Sequence, residues 1–226
     1  MIINKMRRGY QQGFTIVEVL IASAVFSLVL LAALAGFMQI GRLFYKGVTI
    51  AQTQSVANDI FSDISGNFQT AANVSAQQSG NGYTYYCIGN SRYTFNRSVK
   101  IDQSSPTYPN HASGGNFGLL KDSLGGATAC AAPCSDQGVV VCNSPNKVLT
   151  NPVELLGNGM RLANFSITNP NAQSPNIYNV SIVVAYGDDD LFDDYTSTSP
   201  ICKSGAGGQF CAVSQVSTVI HRGWRQ

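Results

Sequence analysis

The 226-residue chain is predicted to be an α+β protein: a long N-terminal helix, membrane-spanning in its first half, whose second half packs on an antiparallel β-sheet with disulfide-stapled loops. Three observations predict this. Across residues 14–38 the only formal charge is Glu18, and beyond them apolar residues recur at helical spacing as far as Phe68. From Ser79 the texture changes to short aromatic and β-branched runs broken by Gly, Asn, Pro and Ser, as in strands and turns. Six cysteines, all beyond the apolar run, supply the staples.

Built as one helix at about 1.5 Å per residue, residues 14–38 exceed the roughly 30 Å hydrocarbon core of a bilayer, so this segment can span a membrane. Lys5, Arg7 and Arg8 precede it and Arg42 and Lys46 follow, a modest bias that holds the N-terminus in the cytoplasm. Glu18 is the costly residue. An isolated charge in a spanning helix costs on the order of 3 kcal/mol, and the run contains no Lys, Arg or His to pair with it. A plain single-span anchor needs no acid there. Nor does a secretory signal peptide, although Ala33-Leu34-Ala35 before Gly36 fits its cleavage pattern; the run is also longer than the usual signal core.

No proline occurs before Pro106, and Ile40, Leu43, Phe44, Ile50, Ala57, Ile60, Phe61, Ile64 and Phe68 continue one helical stripe that must bury against something. Gly36, Gly41 and Gly47 each weaken the helix by up to about 1 kcal/mol, which marks where it would bend or melt. The expected divisions are a basic segment over 1–13, a spanning helix over 14–38, its continuation over 39–69 and a β domain over 70–226.

In that β domain, residues 83–88 and 92–101 read as a hairpin across Gly89-Asn90-Ser91. Residues 102–138 have little periodicity and read as loop, 139–142 and 147–150 as short strands, and 161–168 as a strand after the turn Gly157-Asn158-Gly159. The clearest strand is 177–186, where Tyr178, Val180, Ile182, Val184 and Tyr186 share one face. A last strand is expected over 211–221.

Cys87, Cys130, Cys134, Cys142, Cys202 and Cys211 are an even set on the extracytoplasmic side, which reads as disulfides. Spacing selects none of the 15 pairings of six cysteines, though Cys202 with Cys211 would close a Gly-rich loop. Zinc finds no Cys-x-x-Cys pairing and no histidine near a cysteine motif. One constellation of hard oxygen ligands stands out: Asp188, Asp189, Asp190 and Asp193, with Asp194, after the best strand. These are candidate Ca²⁺ ligands, weighed against a solvated acidic loop because the spacing is not that of an EF-hand. No other cofactor is implied.

No nucleophile elbow, phosphate-binding loop or His-Glu-x-x-His occurs, and two histidines are few for acid/base work, so the chain reads as non-enzymatic. Aromatics interleave with Arg92, Arg97 and Lys100, but the overall charge gives no ground for a nucleic-acid partner.

The N-terminal pattern, a basic leader ending in Gly13 followed by Phe14-Thr15-Ile16-Val17-Glu18 and a long apolar helix, resembles the type IV prepilin signature over residues 1 to about 45. The resemblance implies an aspartic prepilin peptidase that cuts after Gly13 and methylates the new amine of Phe14. It also implies an inner-membrane assembly machinery and other pilin subunits as partners, and an extracytoplasmic filament as destination. Cleavage removes Lys5, Arg7 and Arg8, leaving 11 basic against 12 acidic side chains. Glu18 then lies roughly 6 Å along the helix from the new N-terminus, where a neighbouring subunit's ammonium can pair with it and set the register between helices. On this reading the chain is a structural subunit of a type IV pilus, competence pilus or type II secretion pseudopilus, with its size favouring a minor pilin or pseudopilin. The alternative is a secreted or singly anchored disulfide-rich binding domain that does not polymerise.

Overall fold

The computed structural model describes residues 13–75, 77–80, 83–102, 116–124, 130, 151–170, 176–205 and 207–222. Contacts divide the chain into two units, 1–44 and 45–226. Helix α1, Ile16–Thr70, belongs to both and runs without interruption through Gly36, Gly41 and Gly47. The helix does not melt at these glycines, since penalties of up to about 1 kcal/mol at isolated positions do not outweigh the cooperativity of so long a helix.

In the second unit, α1 buries Thr53, Ala57, Ile60, Ile64 and Phe68, at steps of three and four residues. The predicted stripe is thus half right. Its later members turn inward, whereas Ile50, like Ile40, Leu43 and Phe44 of the first unit, stays exposed.

The expected single sheet is two antiparallel sheets. The first orders β1 (Gln78–Gly80), β2 (Tyr83–Ile88), β3 (Ser91–Phe95), β4 (Leu119–Ser123) and β5 (Val153–Glu154) side by side; the second is β6 (Met160–Thr168), β7 (Ile177–Tyr186) and β8 (Ala212–His221). One core joins them to α1: Ile60, Ile64 and Phe68 meet Tyr86, Ile88 and Tyr93 of the first sheet and Leu162, Phe165, Val180 and Ile182 of the second. Phe68 lies 5.1 Å from Tyr178, and Phe165 sets its edge against Tyr86, Tyr93 and Phe95.

The β2–β3 hairpin turns at Gly89-Asn90, with Gly89 at φ 58°, a conformation that suits glycine. The second strand of the hairpin ends at Phe95, not at Ile101. Beyond it Ser98 takes φ 66° and the chain crosses to the other sheet, where Ser98 N donates to Leu162 O and Ile101 N to Met160 O. Strand β4 was expected to be loop. It is concealed in the sequence because Asp122 is buried on it, opposite Arg92 of β3, and their bidentate pair (Nε–Oδ1 2.9 Å, Nη2–Oδ2 2.5 Å) is fully enclosed. The strands predicted over 139–142 and 147–150 lie outside the described residues.

A second polar clamp fixes α1 to the first sheet. Tyr93 donates its hydroxyl to Asp63 Oδ2 (2.8 Å) and accepts from Asn67 Nδ2 (2.7 Å), while Lys121 Nζ pairs with Asp63 Oδ1 at 2.5 Å. Burial, reinforced by the Asp63 carboxylate, pushes the Tyr93 phenol far above its ordinary range.

Candidate functional site

The residues singled out at the N-terminus sit where the chain enters α1. Val19 N donates to Thr15 O (3.2 Å) and Glu18 N to Thr15 Oγ1 (3.3 Å), so Thr15 caps the helix and Glu18 occupies its third position. Thr15-Ile16-Val17-Glu18 is therefore a capping-box sequence, a signal spelled out in four consecutive residues. It gives Glu18 a local reason to exist, since an acid in the first turn complements the partial positive charge there. Among the described residues no Lys or Arg pairs with its carboxylate. Gly13 is exposed and Phe14 is 81% exposed.

The helix that follows is long and apolar enough to cross a membrane, and none of its most apolar 18 residues is buried among the described residues. Phe26, Leu28, Val29, Leu31 and Leu34 are all exposed. The two serines in this stretch satisfy themselves: Ser23 Oγ donates to Leu20 O (2.9 Å) and Ser27 Oγ to Ser23 O (2.8 Å). Both serine hydroxyls are thus satisfied within the helix, as any helix that crosses a membrane would require.

Two disulfides are present among the described residues. Cys202 bridges Cys211 as the Gly-rich loop suggested, and Cys87 bridges Cys130; Cys134 and Cys142 lie outside the described residues.

The acidic loop after β7 is organised by cations. Asp188 pairs with Lys100, whose hydrogen bond and charge hold the Asp188 carboxyl below its usual range. Asp189 pairs with Arg161 Nη2 at 2.6 Å, and the carbonyl of Asp190 accepts from Lys203 Nζ at 2.9 Å. Asp193 contributes its backbone N–H to Ile201 O (3.0 Å). Asp194 accepts from both the N–H and the hydroxyl of Thr196, which lowers its carboxyl too. Among the described residues no three His, Cys, Asp or Glu side chains stand together as a metal-binding group. The residue that sequence reasoning missed is Arg161. Its side chain is fully buried, donates to Gly187 O (2.8 Å) and lies 5.1 and 5.3 Å from the rings of Phe192 and Tyr195, whose faces offset two guanidinium nitrogens without hydrogen-bond partners among the described residues. Nothing in its sequence context separates it from an ordinary exposed strand arginine.

Comparison with known families matches residues 8–34 to the family described as the prokaryotic N-terminal methylation motif. No curated protein and no solved structure matches the chain. The match covers the Gly13–Phe14 bond, the capped Glu18 and most of the unburied apolar helix. By this motif the N-terminal segment is prepilin-type, the signature of type IV pilin-like proteins and pseudopilins.

Proposed function

We propose that this chain is a structural subunit, a minor pilin or pseudopilin, of a type IV pilus, competence pilus or type II secretion pseudopilus. It is made as a precursor in the cytoplasmic membrane with its N-terminus inside, cut after Gly13 by a prepilin peptidase, methylated on Phe14 and extracted into an extracytoplasmic filament with other pilin subunits. One observation carries the reading: a methylation motif heads an apolar helix whose most apolar stretch is not buried among the described residues. Membrane lipid can cover such a helix in the precursor, and the helices of neighbouring subunits can cover it in a filament. The motif suggests a structural rather than a catalytic protein. Size supports a minor over a major subunit, because a loop-rich domain of this bulk crowds a close helical array.

Glu18 is the assembly residue in this reading, its carboxylate meeting the N-terminal ammonium of a neighbour. Glu18→Gln tests it cleanly. Glutamine suits the third position of a capped helix as well as glutamate, so the Thr15 cap survives while the charge is lost. Membrane insertion should hold or improve. Crosslinking to other filament subunits should fall, because an unpaired buried ammonium costs up to about 3–5 kcal/mol. Unchanged crosslinking would instead favour an anchored binding domain that does not polymerise.

Calcium at the acidic loop is a separate proposal. Binding by Asp188, Asp189, Asp190 and Asp193 has to release carboxylates from Lys100 and Arg161, so it should raise the melting temperature at millimolar Ca²⁺ only with a rearranged loop. A calorimetric titration without heat, together with an unmoved melting temperature, removes it.

A further inference from the structure

The second sheet ends on β8, whose outer edge is open. Its other border, β6, is covered: Ser98 N donates to Leu162 O, Ile101 N to Met160 O, and Ile167 N to the Tyr86 hydroxyl. Strand β8 lies against β7 over its full 10 residues without a shift of register. Just past it Arg222 N donates to Asn176 O at 2.8 Å, which makes these two a hydrogen-bonded pair of the antiparallel ladder. Such pairs alternate along a ladder. Ala212, Ser214, Val216, Thr218 and Ile220 therefore direct their backbone groups to β7, and Val213, Gln215, Ser217, Val219 and His221 turn theirs outward. Among the described residues nothing bonds to that outward row. Gln215, Ser217 and His221 are exposed, and Val219 is 53% exposed.

Long open edges are ordinarily guarded by lysine, proline, a bulge or an inward-pointing charge. Strand β8 has none of these: Ala212–His221 contains no Lys, Arg, Asp, Glu or Pro, and its pairing is unbroken. Arg222, the next residue, is held back by Ala72 O and Asn176 Oδ1. We propose that β8 of a second copy of this chain fills the edge, the two strands running antiparallel about a two-fold axis at Ser217. Ser217 is the middle of the outward row, so this register alone pairs every outward N–H and C=O, through about ten hydrogen bonds. It sets Val213 opposite His221 and Gln215 opposite Val219, and no like charges meet. At a net charge of +2 two copies repel weakly at long range. One continuous sheet then runs through both. The contact is made within residues 45–226 of each copy and stands apart from the filament reading, since a two-fold pair closes on itself and does not propagate.

The test is oxidative crosslinking of the full chain in detergent solution, with peptide mapping to locate each new bridge and to check that Cys87–Cys130 and Cys202–Cys211 are intact. Directly opposite residues of a hydrogen-bonded pair stand about 5.5 Å apart at Cα, a distance a disulfide spans. Ser217→Cys should therefore join to itself. Gln215→Cys alone and Val219→Cys alone should not, because each lies about 13 Å from its own copy, four residues along the strand. A mixture of these two variants should crosslink, 215 to 219. All three positions are exposed, so the substitutions leave the sheet standing. Adding Ser217→Lys to both members of the mixture places two ammonium groups face to face on the axis and should lower the 215–219 crosslink to the level of either variant alone. Absence of any bridge overturns the proposal. Equal bridging in every sample overturns it by showing random collision, self-bridging of Gln215→Cys or Val219→Cys by showing another register, and a crosslink that Ser217→Lys leaves unchanged by showing that the edge is not the contact.

Discussion

Glu154 accepts backbone N–H bonds from Gly118 and Leu119 at 2.9 Å and from Leu156 at 3.1 Å, yet burial pushes its carboxyl above the ordinary value despite those donors. The folded state therefore keeps the Glu154 proton at a pH where the unfolded chain has lost it, and stability from this group falls as pH rises from about 4.5 through the raised value. Urea denaturation across that range should show the decline, and Glu154→Gln should abolish it while losing about 1–3 kcal/mol, since its amide nitrogen would face the Gly118 N–H. The Arg92–Asp122 pair allows a larger effect. Asp122→Ala leaves a fully buried guanidinium without its carboxylate, and denaturation should register a loss of about 3–5 kcal/mol. Neither partner could be read as buried from the sequence, because charged side chains are enclosed only when paired and the pairing is a fact of register between β3 and β4. The Thr15 cap was different, being written in four consecutive residues.

Among the elements, β7 was legible to the residue, since its Tyr178, Val180, Ile182, Val184 and Tyr186 alternate over a face buried in the core. Strand β4 was not, because adjacent Leu119 and Leu120 are both buried and break the alternation on which strand reading depends. The inward stripe of α1 was legible only from Ala57 onward; buried Thr53 is polar and stood outside the apolar pattern, and the apolar residues of the first half are not buried among the described residues. Phe68 is fully buried, with its ring 5.1 Å from that of Tyr178. Phe68→Ala should cost about 3–5 kcal/mol in thermal or chemical denaturation. The Cys202–Cys211 bridge closes a short loop, so replacing both cysteines by serine should cost about 2–3 kcal/mol and loosen the contact between Phe210 and Tyr45. Limited proteolysis of the double variant should then open the chain between 203 and 210.

At the scale of the whole molecule, the α+β class was legible from texture alone, but its division into two sheets was not. The switch from one sheet to the other is made by Ser98 at positive φ, in a stretch where Val99 and Ile101 look like a continuing strand. The two units answer to different surroundings. One brings strands and the second half of α1 around a single enclosed core; the other is an apolar helix whose most apolar stretch is not buried among the described residues, headed by a methylation motif. That contrast makes the fate of the N-terminus decisive. Mass spectrometry of the mature protein purified from its membrane should find a chain beginning at Phe14 with a methylated amine. A chain beginning at Gly36, or one retaining Met1 in a host that processes its own prepilins, would contradict the prepilin account.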